Sequence, residues 1–149
     1  MEQISGNIII RNFKISDYDT LIGLWTQAGL PFKSKGRDTK ENIRKELQRG
    51  CASILLAELN NMAIGTVFAT HDGRKGWINR LAVIPEFRKQ GIGKMLVEKA
   101  ESILIDKGIG IIACLIEDYN KTSLATFQKL GYNEFNGIHY LTKRIHPDI

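Results

Sequence analysis

The sequence predicts a single α/β domain: a mixed, mostly antiparallel sheet with one parallel crossover, flanked by helices. Three observations lead there. Three β-rich runs separated by tight turn signals follow one another between residues 51 and 83, as in a meander. After residue 91, two helical patterns alternate with apolar runs, the order of a strand–helix–strand crossover. The length, 149 residues with 43% hydrophobic and 25% charged, fits one core.

Residues 8–13 form a short apolar strand. Ser16 caps a first helix, with Asp19 three residues on as in an acidic capping box. Tyr18, Leu21, Ile22 and Trp25 share one face of that helix, and Gly29 and Pro31 end it. Residues 31–38 are a loop with three basic side chains. Thr39 caps a helix over 40–49, stopped by Gly50, whose inner face is narrow because only Ile43 and Leu47 are strongly apolar. Residues 51–59 and 62–70 pair through Asn60-Asn61, since Asn tolerates positive φ. A turn over 71–76 leads to a strand over 77–83.

The most informative stretch is 77–104, WINRLAVIPEFRKQGIGKMLVEKAESIL. An apolar run closes on Pro85, a loop follows with Gly91 and Gly93, and Ile92, Met95, Leu96, Ala100 and Ile103 recur at helical spacing to residue 107. A strand feeding a glycine loop that opens a helix brings free backbone N–H groups together at a helix N-terminus, where an anion can bind. Arg88, Lys89 and Lys94 add positive charge. Glycine here also has a packing reading, the close approach of helix to strand. The spacing is not that of a Walker loop, because Lys94 precedes Met95. It is not a dinucleotide fingerprint either, because Leu96 stands where the third glycine belongs. Residues 109–116 are apolar on both alternations and read as a strand buried on both faces. Asn120 caps a helix over 121–130 stopped by Gly131, and 132–135 and 138–145 are expected as closing strands.

Two blocks resemble the GCN5-related N-acetyltransferase (GNAT) family. The first is Leu81-Ala82-Val83-Ile84-Pro85 followed by Arg88-Lys89-Gln90-Gly91-Ile92-Gly93, similar to the family's [RQ]-x-x-G-x-[GA] signature. The second, about 30 residues on, is Asn120-Lys121-Thr122-Ser123-Leu124-Ala125-Thr126-Phe127, ending in Gly131-Tyr132. The resemblance covers nearly the whole chain and implies one N-acetyltransferase domain over 1–149, with its core at about 8–146. It implies that the strands 77–83 and 109–116 pair at one end and splay at the other, with the pantetheine arm of acetyl-CoA in the gap. On it, the backbones of Leu81, Ala82 and Val83 hold the arm. The N–H groups of Arg88, Lys89, Gln90, Gly91, Ile92, Gly93 and Lys94 hold the pyrophosphate, and Asn120, Ser123 and Phe127 complete the site. Arg88 has a surface ion pair with Glu86 as its alternative, and Asn120 has its helix cap.

One departure matters. The family often has a tyrosine where Phe127 stands, and a phenyl ring donates no proton. Tyr119, Tyr132 and Tyr140 are the substitutes, each with a plain structural reading. Among carboxylates, Glu117 and Asp118, just past a strand end, are best placed, and Glu58 is next. Glu117 and Tyr119 are the catalytic candidates. His71 and His139 are of a residue type used for proton transfer, but His71 sits in a turn. Cys114 is mid-strand, where cysteine is usually a small hydrophobe rather than an acetyl carrier.

The implied activity is acetyl-CoA-dependent acetylation of an amine, on a small molecule or a protein, by direct transfer. An acyl-CoA-binding or regulatory protein on the same fold is the alternative. A net charge of +5 and a pI near 9.3 suit an anionic cosubstrate. They would also suit nucleic acid, but the basic residues are dispersed and no such partner is expected. Neither is a metal, since Cys51 and Cys114 have no metal spacing. No membrane association, a cytoplasmic setting, and a monomer or homodimer complete the expectation. The basic loop 31–38, with Phe32 as its large apolar group, is expected to shape the acceptor site and to disfavour a polycationic acceptor.

Overall fold

A computed structural model describes residues 6–149. The start of the expected domain lies partly outside the described residues. Five strands stand in sequence order in one sheet: β1 (Ile8–Asn12), β2 (Ala52–Leu59), β3 (Met62–His71), β4 (Lys75–Val83) and β5 (Ile111–Ala113). The first four are antiparallel, and β5 runs parallel to β4. Four α-helices accompany them: α1 (Tyr18–Ala28), α2 (Lys40–Gln48), α3 (Ile92–Asp106) and α4 (Lys121–Lys129). The mixed sheet with one parallel crossover is the predicted architecture.

Local chemistry sets most boundaries. Asn60 and Asn61 both adopt positive φ, 50° and 65°, which closes the β2–β3 hairpin. Thr39 caps α2 by accepting the Asn42 N–H at 3.2 Å. Gly29 ends α1 at φ 73°. The start of α1 differs from the expectation. Ser16 lies inside a short 3-10 turn, Ile15–Asp17, and Asp17 stands at the N-cap of α1 without a side-chain cap bond. The Asp17 carboxylate is engaged elsewhere, accepting the Lys14 N–H at 2.8 Å and the Arg11 guanidinium at 2.8 and 3.0 Å.

The core is one cluster. Six successive residues of β3, from Ile64 to Ala69, are buried, so layers cover both faces of this central strand. Leu21, Leu24 and Trp25 of α1 pack into the core, as do Ile92, Leu96, Val97, Ala100 and Leu104 of α3. Ile43 is the buried residue of α2, as its narrow face foretold. Gly76 permits close approach of α3 to β4, since a Cβ there would lie 2.9 Å from Leu104 Cδ1.

Two expectations about the second half are corrected. The strand expected over 109–116 is ordered into the ladder only at Ile111–Ala113, and its alternate residues Ile111 and Leu115 are 63% and 56% exposed. The physical reason is position: β5 is the last strand, with a neighbour on one side only. The segments 132–135 and 138–145 are not strands. Alternation supplies a face, but the edge on offer is that of β5, which is ordered only over Ile111–Ala113, and its outer side stays unpaired. Phe135, Ile138, Tyr140, Leu141 and Ile145 are exposed. The chain end turns back on the α1–α2 loop, where Asp148 C=O accepts the Arg37 N–H at 3.0 Å.

Candidate active site

Strands β4 and β5 pair only at Lys75–Ile111, Gly76–Ile112 and Trp77–Ala113. Beyond those positions β4 continues alone to Val83. Where they part there is a cavity of about 580 Å³. Ile78, Asn79, Arg80 and Leu81 line it from β4, and Cys114, Leu115, Ile116 and Glu117 line it from the chain leaving β5. Tyr119, Asn120, Ser123 and Phe127 close one side, and Leu30, Pro31, Arg37, Asp38 and Glu46 close the other. Unpaired strand edges carry free N–H and C=O groups, which can hydrogen-bond amides that enter the gap.

A bulge shapes the β4 wall. Thr66 faces Ala82 and Phe68 faces Asn79, so Arg80 and Leu81 together oppose Val67. Arg80 takes φ 49°, an uncommon conformation for a side chain of that size. Its guanidinium donates to both Asp38 oxygens, at 2.7 and 2.9 Å, and lies 4.5 Å from the Trp25 ring centroid. Lys33 N–H also donates to Asp38, at 2.7 Å. Burial would push the Asp38 carboxyl up, but Arg80, the Lys33 N–H and Arg37 outweigh it and hold the carboxyl below its ordinary range. This buried pair ties the α1–α2 loop to β4. Nothing in the sequence singled out Asp38 or Glu46, because each acquires its place only through the fold.

The glycine loop stands apart from the cavity wall. Lys89 and Gly91 have φ 63° and 82°, and Gly91 opens α3 with no side-chain cap. The first bond of the helix runs from Met95 N–H to Gly91 C=O at 3.1 Å. The N–H groups ahead of it point out of the helix end, where an anion would meet them. A Cβ on Gly91 would meet nothing within 4 Å, and one on Gly93 would meet only Leu81 Cδ2, at 3.6 Å. Arg88 does not pair with Glu86; its Nε donates to Val83 C=O at 2.9 Å. Loop and cavity are joined through β4, by Leu81, the buried Ala82 and Val83.

The structure thus brings Leu81, Glu117, Tyr119, Asn120, Ser123 and Phe127 into one cavity and leaves Arg88 to Lys94 outside it, with Arg88, Lys89, Gly91 and Lys94 exposed and Ile92 buried in the core. Asn120 also caps α4 by accepting the Ser123 N–H at 3.2 Å. Tyr119 is 80% exposed. Tyr132 is turned away: its hydroxyl donates to Glu101 at 2.9 Å, its ring meets Phe127 edge-on at 5.0 Å, and burial and Glu101 push its hydroxyl pKa up. Glu58 pairs with Arg11. His71 Nδ1 accepts the Gly73 N–H at 3.1 Å, a turn role. Burial pushes the Cys114 thiol up to about 11, which makes it a poor nucleophile at neutral pH. Of the loop 31–38, Phe32 packs on Trp25 at 5.8 Å, and Arg37 is the loop's one basic residue in the cavity wall. Arg37 and Arg80 there face Asp38, Glu46 and Glu117.

A sequence model of the Acetyltransferase (GNAT) family matches residues 19–132. Among solved structures, the chain is similar to AAC(6')-Iy in complex with the bisubstrate analog CoA-S-monomethyl-acetylneamine. The TM-score is 0.78 and the identity 22%, over 93% of this chain and 99% of that one. It is similar to the PaiA N-acetyltransferase from Thermoplasma acidophilum in complex with coenzyme A. There the TM-score is 0.70 and the identity 26%, over 83% of this chain and 88% of that one. A predicted acetyltransferase with acetyl-CoA from Clostridium acetobutylicum gives a TM-score of 0.74 at 17% identity, over 91% and 96% of the two chains.

Proposed function

The chain belongs to the acetyltransferase (GNAT) family, and from that premise we propose that it moves an acetyl group from acetyl-CoA directly to an amine, with both substrates bound together. The observation that carries this reading is the parting of β4 and β5 over a cavity that continues to the α1–α2 loop. One gap then serves a thioester at the strand ends and an acceptor beyond it. The acceptor is an amine of a small molecule or a protein. The two free thiols, Cys51 and Cys114, suit a reducing cytoplasmic setting. No helix among the described residues is long and apolar enough to cross a membrane.

The residues present fit acetyl-CoA. Lys89 and Gly91 hold left-handed backbone at an uncapped helix N-terminus, and Arg88, Lys89 and Lys94 surround it with positive charge. In this proposal the N–H groups from Arg88 through Gln90, Gly91, Ile92 and Gly93 to Lys94 hold the pyrophosphate. The β4 edge at Leu81, Ala82 and Val83 that faces away from β3 holds the pantetheine amides, the Val83 C=O being taken by Arg88 Nε, and Asn120, Ser123 and Phe127 flank the arm. When bound, acetyl-CoA supplies an acetyl group activated as a thioester. A β4 N–H directed at the thioester oxygen would stabilise the charge that develops there. In this proposal Tyr119, in the cavity wall, donates a proton to the departing sulfur, the task Phe127 has no hydroxyl to perform, and Glu117 is a second catalytic candidate on the same wall. The protonated state of Cys114 supports direct transfer over an acetyl-enzyme.

Initial rates test this. With acetyl-CoA varied at several amine concentrations, the reciprocal plots should intersect, as a ternary complex requires. Parallel plots, with a labelled acetyl group retained by the wild type and lost in Cys114→Ala, would overturn direct transfer.

A further inference from the structure

An acceptor amine reaches a neutral solution as its ammonium ion, and a proton must leave it before nitrogen can attack. Three carboxylates line the cavity: Asp38, Glu46 and Glu117. Asp38 is held by Arg80 through two hydrogen bonds. Glu117 is exposed, at the cosubstrate end. Glu46 differs from both. It reaches the cavity from α2, is half-buried, and among the described residues its carboxylate has no hydrogen-bond or ion-pair partner. A carboxylate so placed gives up water without gaining a protein donor, a cost that a cationic ligand would offset.

We infer that Glu46 takes the proton from the acceptor's ammonium group. The inference rests on the acetyl-transfer reading above and assigns the acceptor end of the same cavity. Glu46 accepts one N–H proton and leaves a neutral amine with its electron pair free. That pair forms the C–N bond at the thioester carbonyl carbon, and the C–S bond breaks with its electrons leaving on sulfur. The second nitrogen proton balances the thiolate, delivered by Tyr119 or water, and Glu46 returns its own proton to solvent. An ammonium ion and a thioester become an amide, a thiol and one proton.

The surroundings fit a base. Facing Glu46 are Arg49 at the C-cap of α2, Arg37 and Asp38 from the α1–α2 loop, and Arg80 from β4. Cys114, Glu117 and Tyr119 stand on the wall beyond β5. Burial, then the charge of Asp38, push the Glu46 carboxyl up against the pull of the three arginines. A raised carboxyl is a stronger proton acceptor than a free one.

Glu46→Gln keeps the shape and removes the basicity. Wild type, Glu46→Gln and Glu117→Gln are compared with acetyl-CoA and the best acceptor from a panel of alkylamines, polyamines and amino sugars. For Glu46→Gln, kcat/KM at pH 7 should fall about 100-fold. The deficit should shrink at least tenfold by pH 9.5, where solvent deprotonates the amine, and acetyl-CoA affinity by calorimetry should stay within twofold. A deficit under threefold, a deficit equal at both pH values, or a larger pH-dependent deficit in Glu117→Gln would overturn the assignment. Wild type that binds acetyl-CoA yet acetylates no amine in the panel would defeat the acetyl-transfer reading itself, and this inference with it.

Discussion

The two ends of the cavity are built from different material. At the β4–β5 end the groups proposed to bind are backbone: free strand edges, a left-handed Lys89 and Gly91, and the N–H groups ahead of Met95. At the α1–α2 end they are side chains from distant segments: Asp38 on Arg80 across 42 positions, Trp25 under the guanidinium, and Glu46 beside them. The difference teaches where binding chemistry leaves a trace. A backbone cradle needs particular residues at fixed local spacing, glycine above all. A side-chain cluster needs only that the fold bring its members together.

The largest expected effect separates the two ends outright. Gly93→Asp places a carboxylate at the helix N-terminus, where the Cβ would meet only Leu81 at 3.6 Å. The fold should survive, and acetyl-CoA affinity should fall by more than about 100-fold, near 3 kcal/mol. Calorimetry on the folded variant checks this, and unchanged affinity would remove the phosphate-loop reading.

The second prediction breaks the other end. Arg80→Ala leaves Asp38 buried with only the Lys33 N–H and the more distant Arg37, and should cost about 3 kcal/mol in urea unfolding. The pH dependence has a definite sign. Asp38 is depressed in the folded state, so its contribution is present above the unfolded carboxyl pKa of ~3.9 and is lost as pH falls through the lower folded value. Wild type should therefore lose this stability only below about pH 4, and Arg80→Ala should show a weaker acid dependence there. Equal stability of the two proteins at pH 7 would show that the pair does not hold the loop.

Two smaller effects sharpen the boundary of the site. Tyr132→Phe removes the hydrogen bond to Glu101 and should cost about 1 kcal/mol of stability, with acetyl transfer kept because Tyr132 faces α3. A rate loss of tenfold or more would return Tyr132 to the proton path. Cys114→Ala should cost less, under about 1 kcal/mol for a half-buried thiol at a strand end, and transfer should persist. Loss of transfer in a folded variant would restore a covalent role to the cysteine.

The same contrast explains what was legible in the sequence. Asn60-Asn61, Thr39, Gly29 and Gly91 announced their turns and caps, because those conformations are decided within a few residues. The strand expected over 77–83 was legible from its apolar run and the helix after it from helical spacing, although β4 begins two residues earlier, at Lys75. The bulge at Arg80 did not, since it depends on how β3 and β4 register. The apolar run 109–116 and the alternating tail looked like strands, but whether an apolar segment joins a ladder depends on the edge offered to it. Asp38 and Glu46 lay among ordinary charged residues, and only the cavity makes them distinctive.

The central claim is that one cavity holds the thioester and the amine together and joins them. The most direct measurement mixes the protein with acetyl-CoA carrying a labelled acetyl group and with an amine panel, then follows free thiol and acetylated amine together. The account predicts that the two appear in equal amounts, and that thiol release rises with amine concentration to a plateau. Tight binding of acetyl-CoA with no thiol released, or thiol released at a rate indifferent to every amine, would contradict it.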